Sequence, residues 1–290
     1  MNVGPLEIEW VSDGRVWVDP GGAFGLVPKA LYERYWPPNE EHLIPMSLHS
    51  LVVRARGTTV LIDTGLGTKL SPKAAKLWRL ERPQGGLLEG LRRIGLDRED
   101  IDVVINTHLH ADHCSGNTML VDGELHPTFP NAEYWVQRME WADASHPDAR
   151  TKATYLPENF QPLLRNGQLR LLHGDTRLND HIRCVVTPGH TRGHQSVILE
   201  AGDWRGLFVA DMASFAIKMA KTAWVSAYDV LPLENVATKE RWQRWALEHD
   251  AWLLFEHDGS MPVARLERRG EKLELAPVAW GEIKSASIPT

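Results

Sequence analysis

Residues 107–113 read Thr-His-Leu-His-Ala-Asp-His, so three histidines and one aspartate fall within six positions. Imidazoles and a carboxylate packed this densely are costly to bury as ordinary core, because they compete for solvation and repel one another once protonated. A metal cation removes this difficulty, since neutral imidazole is its usual nitrogen ligand. The segment therefore indicates a metal site.

Three further metal-competent side chains also follow short apolar runs. His108 itself follows the apolar run at 102–106, with Thr107 between them. His190 follows the run at 183–187 across a Pro-Gly turn, Asp211 follows 207–210, and His257 follows 252–256. We expect each run to be a buried strand. If the strand ends lie at one edge of the sheets, their polar side chains converge there.

This convergence yields more candidate ligands than one ion uses. The candidates are His108, His110, Asp112, His113, His190, Asp211 and His257. A single metal at a hydrolytic site takes only three or four protein ligands. The set therefore suits two ions that share a carboxylate, roughly 3.5–4 Å apart.

The same residues resemble the metallo-β-lactamase superfamily of metallohydrolases. The string His-x-His-x-Asp-His at 108–113 is followed by Thr-Pro-Gly-His-Thr-Arg-Gly-His at 187–194, then by Asp211 and His257, and the Asp-Thr-Gly at 63–65 resembles that superfamily's loop near the metals. The match runs in order from about residue 48 to residue 258. It is highly specific for the fold and the metal site, and poorly specific for the substrate.

The resemblance implies a fold and a ligand assignment. The fold is an α/β four-layer αβ/βα sandwich, in which helices flank two mixed β-sheets. One metal is held by His108, His110 and His190, the other by Asp112, His113 and His257, and Asp211 bridges them. Zinc suits nitrogen and carboxylate ligands best, although iron, manganese or cobalt fit the same cage.

The resemblance also implies a mechanism, in which a hydroxide that bridges the two metals attacks the substrate. Asp112 accepts and relays a proton, and Asp211 is catalytic through its bridging position. We expect Asp63 to orient a metal-bound histidine and His194 to support the site, and neither of them to bind a metal directly.

Substrate class is the least determined feature, because it depends on loops. The favoured interpretation is a lactonase or esterase, similar to the N-acyl-homoserine lactonases. Those enzymes carry a tyrosine three residues after the bridging aspartate, where this chain has Ser214. Either Tyr228 takes the role of that tyrosine, or the protein is not a lactonase of this kind. The alternatives are an organophosphate and aryl-ester hydrolase and a non-catalytic metal-binding sensor. The predicted pocket residues are Phe24, Trp36, Ser214, Phe215, Trp224 and Tyr228.

Composition narrows the class of protein. The chain has 290 residues, 43% of them hydrophobic, and a formal net charge of −6. This composition excludes intrinsic disorder, and the acidic balance argues against nucleic-acid binding. No apolar run approaches the ~20 residues of a membrane span. We therefore expect a small ester, lactone or phosphotriester as the partner, without nucleic acid or membrane, and we consider a homodimer.

The remaining expectations concern compartment and organisation. The first residues lack a signal-peptide pattern, and two cysteines do not form a disulfide scaffold, so a cytoplasmic location is expected. We expect one domain over 1–290, with N-terminal strands and a loop near the active site at 1–45 and a C-terminal hairpin and tail at 259–290. A hairpin is predicted from Glu7–Val11 and Arg15–Val18, turning at 12–14.

Overall fold

Two mixed β-sheets of seven strands each form the centre of the protein, in a computed structural model that describes residues 1–280. The first sheet has the order β1-β2-β3-β4-β5-β8-β9. Its strands are β1 (Asn2–Val3), β2 (Leu6–Val18), β3 (Ile44–Ala55), β4 (Thr58–Ile62), β5 (Val103–Ile105), β8 (Glu133–Gln137) and β9 (Leu169–Leu172). A separate hairpin consists of β6 (Thr118–Val121) and β7 (Glu124–Pro127).

The second sheet follows chain order, β10-β11-β12-β13-β14-β15-β16. Its strands are β10 (Thr176–Arg177), β11 (Ile182–Val186), β12 (Gln195–Ala201), β13 (Trp204–Phe208), β14 (Trp252–Leu254), β15 (Val263–Arg269) and β16 (Lys272–Pro277). The last two strands form the predicted C-terminal hairpin, and the final part of the predicted tail, 281–290, lies outside the described residues.

Nine helices are present among residues 1–280. They are α1 (Pro20–Phe24), α2 (Lys29–Tyr32), α3 (Pro72–Trp78), α4 (Leu87–Arg93), α5 (Ala111–Cys114), α6 (Arg138–Ser145), α7 (Gln161–Arg165), α8 (Ile217–Ala220) and α9 (Pro232–Glu248). Four short 3₁₀ turns span Arg98–Asp100, Ser115–Asn117, Pro157–Asn159 and Ala210–Ala213. No helix in this part of the chain is both long and apolar enough to cross a bilayer.

The two sheets pack face to face, because one apolar cluster contains side chains from both. Leu51 and Ile62 of the first sheet belong to the same buried cluster as Val197 and Leu254 of the second. Separate clusters cover the outer faces, where α4 and α7 pack on the first sheet and α9 on the second. The predicted four-layer αβ/βα sandwich is confirmed.

Strand direction brings the site together. β4, β5, β8 and β9 run parallel to one another, and β13 runs parallel to β14. β11 runs in the direction of β13, since each is antiparallel to β12. The carboxyl ends of β5, β11, β13 and β14 are therefore the points from which the chain enters the segments that carry the predicted ligands.

The predicted N-terminal hairpin is wrong. β2 is one strand from Leu6 to Val18, paired with β3 along its length, with a register shift between Ser12 and Arg15. The reason is Asp13, whose buried carboxylate accepts hydrogen bonds from Arg82, the Gly67 N–H and the Leu87 N–H. These partners draw residues 12–14 into a bulge, which bends the strand without reversing it.

Candidate metal centre

His108, His110 and His190 form the first cluster at the edge of the sandwich. His108 and His110 lie just after β5, and His190 lies in the turn after β11. The Nε2 atom of His190 is 3.0 Å from the Nδ1 atom of His110. One donor atom from each of the three side chains lies within 4.8 Å of the others, and all three side chains are buried. Three nitrogen donors therefore face one point.

Asp112, His113 and His257 form the second cluster. The helix α5 carries Asp112 and His113, and His257 follows β14. The Nε2 atoms of His113 and His257 are 3.1 Å apart, although 144 positions separate the two residues in the chain. Asp112 lies 3.7 Å from Nε2 of His113. The donor atoms of this group also lie within 4.8 Å of one another.

Asp211 lies between the two clusters. Its carboxylate is 3.1 Å from Nε2 of His190 in the first cluster and 3.2 Å from Nε2 of His257 in the second. It is also 3.5 Å from Nε2 of His113 and 3.9 Å from Nε2 of His108. One carboxylate thus reaches histidines of both clusters. The structure therefore brings together all seven candidate ligands.

The seven candidate ligands together are called the metal cage below. The tautomers of their rings suit the binding of cations. Nδ1 of His190 faces Asp229, and Nδ1 of His257 faces the Ser47 carbonyl, so both ring N–H groups have an acceptor outside the cluster. The Nε2 lone pairs then point at other lone pairs, which is unfavourable unless a positive charge, either a proton or a metal ion, lies between them. Nε2 of His108 and Oδ1 of Asp211 are buried without a hydrogen-bond partner. These donors fit two divalent metals.

The pKa values divide the histidines of the two clusters into two groups. Burial, reinforced by the neighbouring histidines, holds the pKa values of His108 and His110 well below the usual range, so both rings are neutral at pH 7. Burial alone would raise the pKa of Asp211, but His190, His257 and His113 outweigh it and lower that pKa well below the ordinary value. The neighbouring carboxylates, by contrast, raise the pKa values of His113, His190 and His257, so without a cation these three rings hold protons around the ionised Asp211, and bound metals would take the place of those protons.

Asp63 lies behind the second cluster. Its carboxylate lies 3.1 Å from Nδ1 of His113 and also accepts from the backbone N–H and the hydroxyl of Thr107. Asp63 has φ of 56°, a left-handed conformation, directly after β4. This bend at the strand end turns its carboxylate toward the histidine.

His194 supports Asp211 and belongs to none of the donor groups. Its Nε2 accepts the backbone N–H of Asp211 at 3.1 Å, and its Nδ1 lies 3.1 Å from the Thr187 carbonyl oxygen. Both ring nitrogens are therefore engaged by the backbone, and the ring fixes the segment that carries Asp211.

Sequence reasoning missed several residues that orient the histidines. Asp229 lies 2.9 Å from Nδ1 of His190, and Glu256 lies 3.2 Å from Nδ1 of His113. Glu140 is fully buried and accepts the backbone N–H of Leu109. Glu256 is adjacent to His257 in sequence, which was an available signal. Asp229 and Glu140 carry no local pattern that marks them.

A cavity of about 270 Å³ opens beside the metal centre. Its floor includes His110, Asp112, His190 and Asp211. The remaining walls are mostly apolar or hydroxyl-bearing and comprise Val18, Ala23, Met46, Trp78, Ala111, Arg150, Thr151, Ala153, Thr154, Ser214, Phe215, Ser226, Ala227 and Tyr228. The cavity can therefore accept a small molecule with an apolar part and present it to the cage.

Ser214, Phe215 and Tyr228 of the predicted pocket line this cavity, but Phe24, Trp36 and Trp224 do not. Phe24 is fully buried and stacks on Phe215 at 5.6 Å between ring centroids, and Trp36 packs on Phe215 at 4.6 Å. Trp224 contacts Phe24 edge to face. Phe24 and Trp36 are therefore core residues that support Phe215, and the partly buried Trp224 packs behind them on Phe24.

The chain belongs to the metallo-beta-lactamase superfamily, whose family model matches residues 44–248. An N-acyl homoserine lactonase from a Bacillus species is 34% identical over 110 residues, which are 38% of this chain and 37% of that relative, so the alignment spans well under two thirds of the relative's length.

Solved structures show the same fold. A probable metal-dependent hydrolase from Staphylococcus aureus superposes with a TM-score of 0.87 at 27% identity, covering 96% of this chain and 99% of that one. AidC, a dizinc quorum-quenching lactonase in complex with a product, superposes with a TM-score of 0.77 at 19% identity, covering 97% of each chain.

Proposed function

We propose that this protein is a binuclear metal-dependent hydrolase that opens lactones and related esters. The observation that carries the proposal is the position of Asp211, whose carboxylate lies within 3.2 Å of a histidine from each cluster. A shared carboxylate between two sets of nitrogen donors is the arrangement that two-metal hydrolytic sites use.

His108, His110 and His190 would hold one metal, Asp112, His113 and His257 the other, and Asp211 both. When bound, two divalent cations supply a water acidic enough to attack at neutral pH and polarise the oxygen of the scissile group. Zinc is the proposed metal, and iron, manganese or cobalt are compatible with the same donors. AidC, described as a dizinc enzyme, supports this proposal.

The chain's own residues contribute orientation and proton transfer. Asp229 and Asp63 hold the imidazoles of His190 and His113 through their Nδ1 atoms. Asp112 is half-buried and lines the cavity, so its carboxylate can accept a proton released during hydrolysis and deliver it to the leaving oxygen. The Tyr228 side chain lines the same cavity, so its hydroxyl can donate a hydrogen bond to the substrate.

A lactone or ester is favoured by the cavity and the relatives together. Val18, Ala23, Met46 and Phe215 provide apolar surface for an acyl chain beside the cage. The Bacillus relative is named an N-acyl homoserine lactonase. An aryl-ester or phosphotriester hydrolase is the second candidate, because Trp78, Phe215 and Tyr228 give the cavity aromatic walls for an aryl leaving group.

The test is a screen of the purified protein against N-hexanoyl-homoserine lactone, an aryl ester and a phosphotriester, with metal analysis of the same sample. We expect about two metals per chain, lactone turnover, loss of turnover with chelator and recovery with Zn²⁺ or Co²⁺. Preferred turnover of the phosphotriester would favour the second candidate. A metal-loaded protein that binds the lactone without turnover would be a sensor and would overturn the proposal.

A single domain, a homodimer and a cytoplasmic location remain predictions. Limited proteolysis, light scattering and cell fractionation test them respectively. Both cysteines are buried free thiols, which is compatible with a reducing compartment.

A further inference from the structure

The hydroxyl groups on the cavity wall differ in whether they already donate a hydrogen bond. Thr151 donates to Asp148, Thr154 to the Thr151 carbonyl, and Ser226 to Asp229. Each of these protons is therefore used within the protein. Among the described residues, Ser214 and Tyr228 are the wall hydroxyls that donate to no protein group.

Ser214 differs from Tyr228 because a buried ammonium group approaches it. The Nζ atom of Lys218 donates to Oγ of Ser214 at 2.7 Å. Lys218 is one turn further along the chain and is 2% exposed. Its Nζ lies 5.6 Å and 5.5 Å from the ring centroids of Phe24 and Phe215. In the described chain it has no carboxylate within salt-bridge distance, so Ser214 is its hydrogen-bond partner.

This contact determines where the serine proton points. Burial lowers the pKa of Lys218 to about 8, so the group is mainly protonated at pH 7 and donates to the serine. A hydroxyl that accepts at one lone pair keeps its own proton free for a second partner. Because Ser214 lines the cavity, and because acceptance from a cation polarises the O–H bond, that proton is a strengthened donor toward the cavity.

We propose that Ser214, oriented by Lys218, anchors an acceptor oxygen of the substrate, so that the pair determines which esters the cavity holds productively. The proposal rests on the proposed hydrolase function of the same site. Ser214 follows Asp211 by three residues and lies directly after the 3₁₀ turn Ala210–Ala213 that carries Asp211, so the donor and this candidate ligand are held by one short piece of backbone. Lys218 is a positioning residue, since it acts through the serine.

The pair is tested by a double-mutant cycle with Ser214→Ala and Lys218→Met on the metal-loaded protein. We expect Ser214→Ala to lower kcat/KM for N-hexanoyl-homoserine lactone by about ten- to a hundredfold, as expected for loss of one charge-assisted hydrogen bond. Lys218→Met should have a smaller effect in the same direction. In the Ser214→Ala background it should have almost no further effect, because the hydroxyl it orients is gone.

A second measurement does not depend on turnover. The metal-free protein is titrated calorimetrically with the ring-opened acid N-hexanoyl-homoserine, and both single variants should bind it several-fold more weakly than the wild type does. Lys239→Met is the matched control, because Lys239 is another buried lysine, whose Nζ donates to the Trp224 carbonyl and not to a hydroxyl of the cavity wall. The Lys239→Met variant should keep kcat/KM and the affinity for N-hexanoyl-homoserine within twofold of the wild-type values.

The outcomes separate this inference from the proposed function. If the wild type hydrolyses the lactone while Ser214→Ala matches it in both measurements, the anchor is wrong and the hydrolase stands. If the two effects are additive, Lys218 supports the fold independently of Ser214 and the pairing is wrong. If the wild type turns over none of the screened substrates, the proposed function fails first. An acyl adduct on Ser214 in the mass spectrum would make it a nucleophile and overturn the anchoring role.

Discussion

The Nδ1 atom of His190 lies 2.9 Å from a carboxylate oxygen of Asp229, which is 39 positions further along the chain. Both side chains are buried, and Asp229 also accepts hydrogen bonds from Asn235 and Ser226. Burial opposes ionisation of Asp229, but the bond from His190 outweighs it and keeps the pKa of that carboxyl below its usual value. The carboxylate thus fixes the ring so that Nε2 faces the metal cage.

Asp229→Asn should therefore weaken metal binding in the first cluster. An amide can hold the ring in the wrong tautomer, and loss of such an outer carboxylate typically reduces metal affinity 10–100-fold. The measurement is a competition titration with a chromogenic zinc chelator. Two sites of unchanged affinity in the variant would show that Asp229 does not orient His190.

Asp211→Ala should lose one metal and most of the activity while the fold survives. The carboxylate lies between both clusters, so its removal takes a ligand from each. Metal analysis gives the stoichiometry, and circular dichroism checks the fold. Two metals and a wild-type rate in this variant would contradict the bridging role.

His194→Ala should cost less activity than His190→Ala. His190 presents Nε2 to the cage, whereas both ring nitrogens of His194 are engaged by the backbone. His194→Ala should keep both metals and lose about 1–3 kcal/mol of stability, because the Asp211 N–H loses its acceptor. Equal losses of metal in the two variants would reverse these roles.

Gly22→Ala should displace Tyr228 from the cavity wall. A Cβ atom at position 22 would lie 2.0 Å from the Tyr228 hydroxyl oxygen, so the ring has to move. We expect Gly22→Ala to lower kcat/KM about as far as Tyr228→Phe does, while the free energy of unfolding changes little. Gly21→Ala is the matched control, since its Cβ would contact Asp19. An unaltered rate in Gly22→Ala would argue against a role for this hydroxyl.

Acid should destabilise the protein partly through His49. Its ring packs against Trp10, and burial, with a smaller effect of His257, lowers its pKa from 6.5 to about 4. The unfolded chain takes up the proton near pH 6.5, whereas the folded chain does not until about pH 4, so stability falls as pH falls through this window. The loss from pH 7 to pH 5 is about 2 kcal/mol.

The comparison uses urea unfolding of metal-free wild type and His49→Leu at both pH values. The other histidines titrate in both proteins, so the difference between them isolates His49. The wild type should lose about 2 kcal/mol more than the variant between pH 7 and pH 5. Parallel losses would show that His49 titrates normally when folded.

Local sequence patterns predicted the strand ends better than the surroundings of the site. His257 could be placed beside the cage because a short apolar run precedes it, and β14 does pair parallel to β13. Asp229 could not, because its contact with His190 depends on how the loop before α9 folds back. Phe24 and Trp224 were equally unpredictable, since apolar aromatic residues suit both a cavity wall and the layer behind it. The bulge at Asp13 depends on Arg82, 69 positions away.

The donors of the cage come from both halves of the sandwich. His108, His110, Asp112 and His113 belong to segments after the first sheet's β5, whereas His190, Asp211 and His257 follow strands of the second sheet. Each proposed cation would thus have ligands from both halves, and its binding free energy would stabilise the packing of one half against the other. Removal of the metals would therefore weaken the packing between the two halves and also abolish hydrolysis.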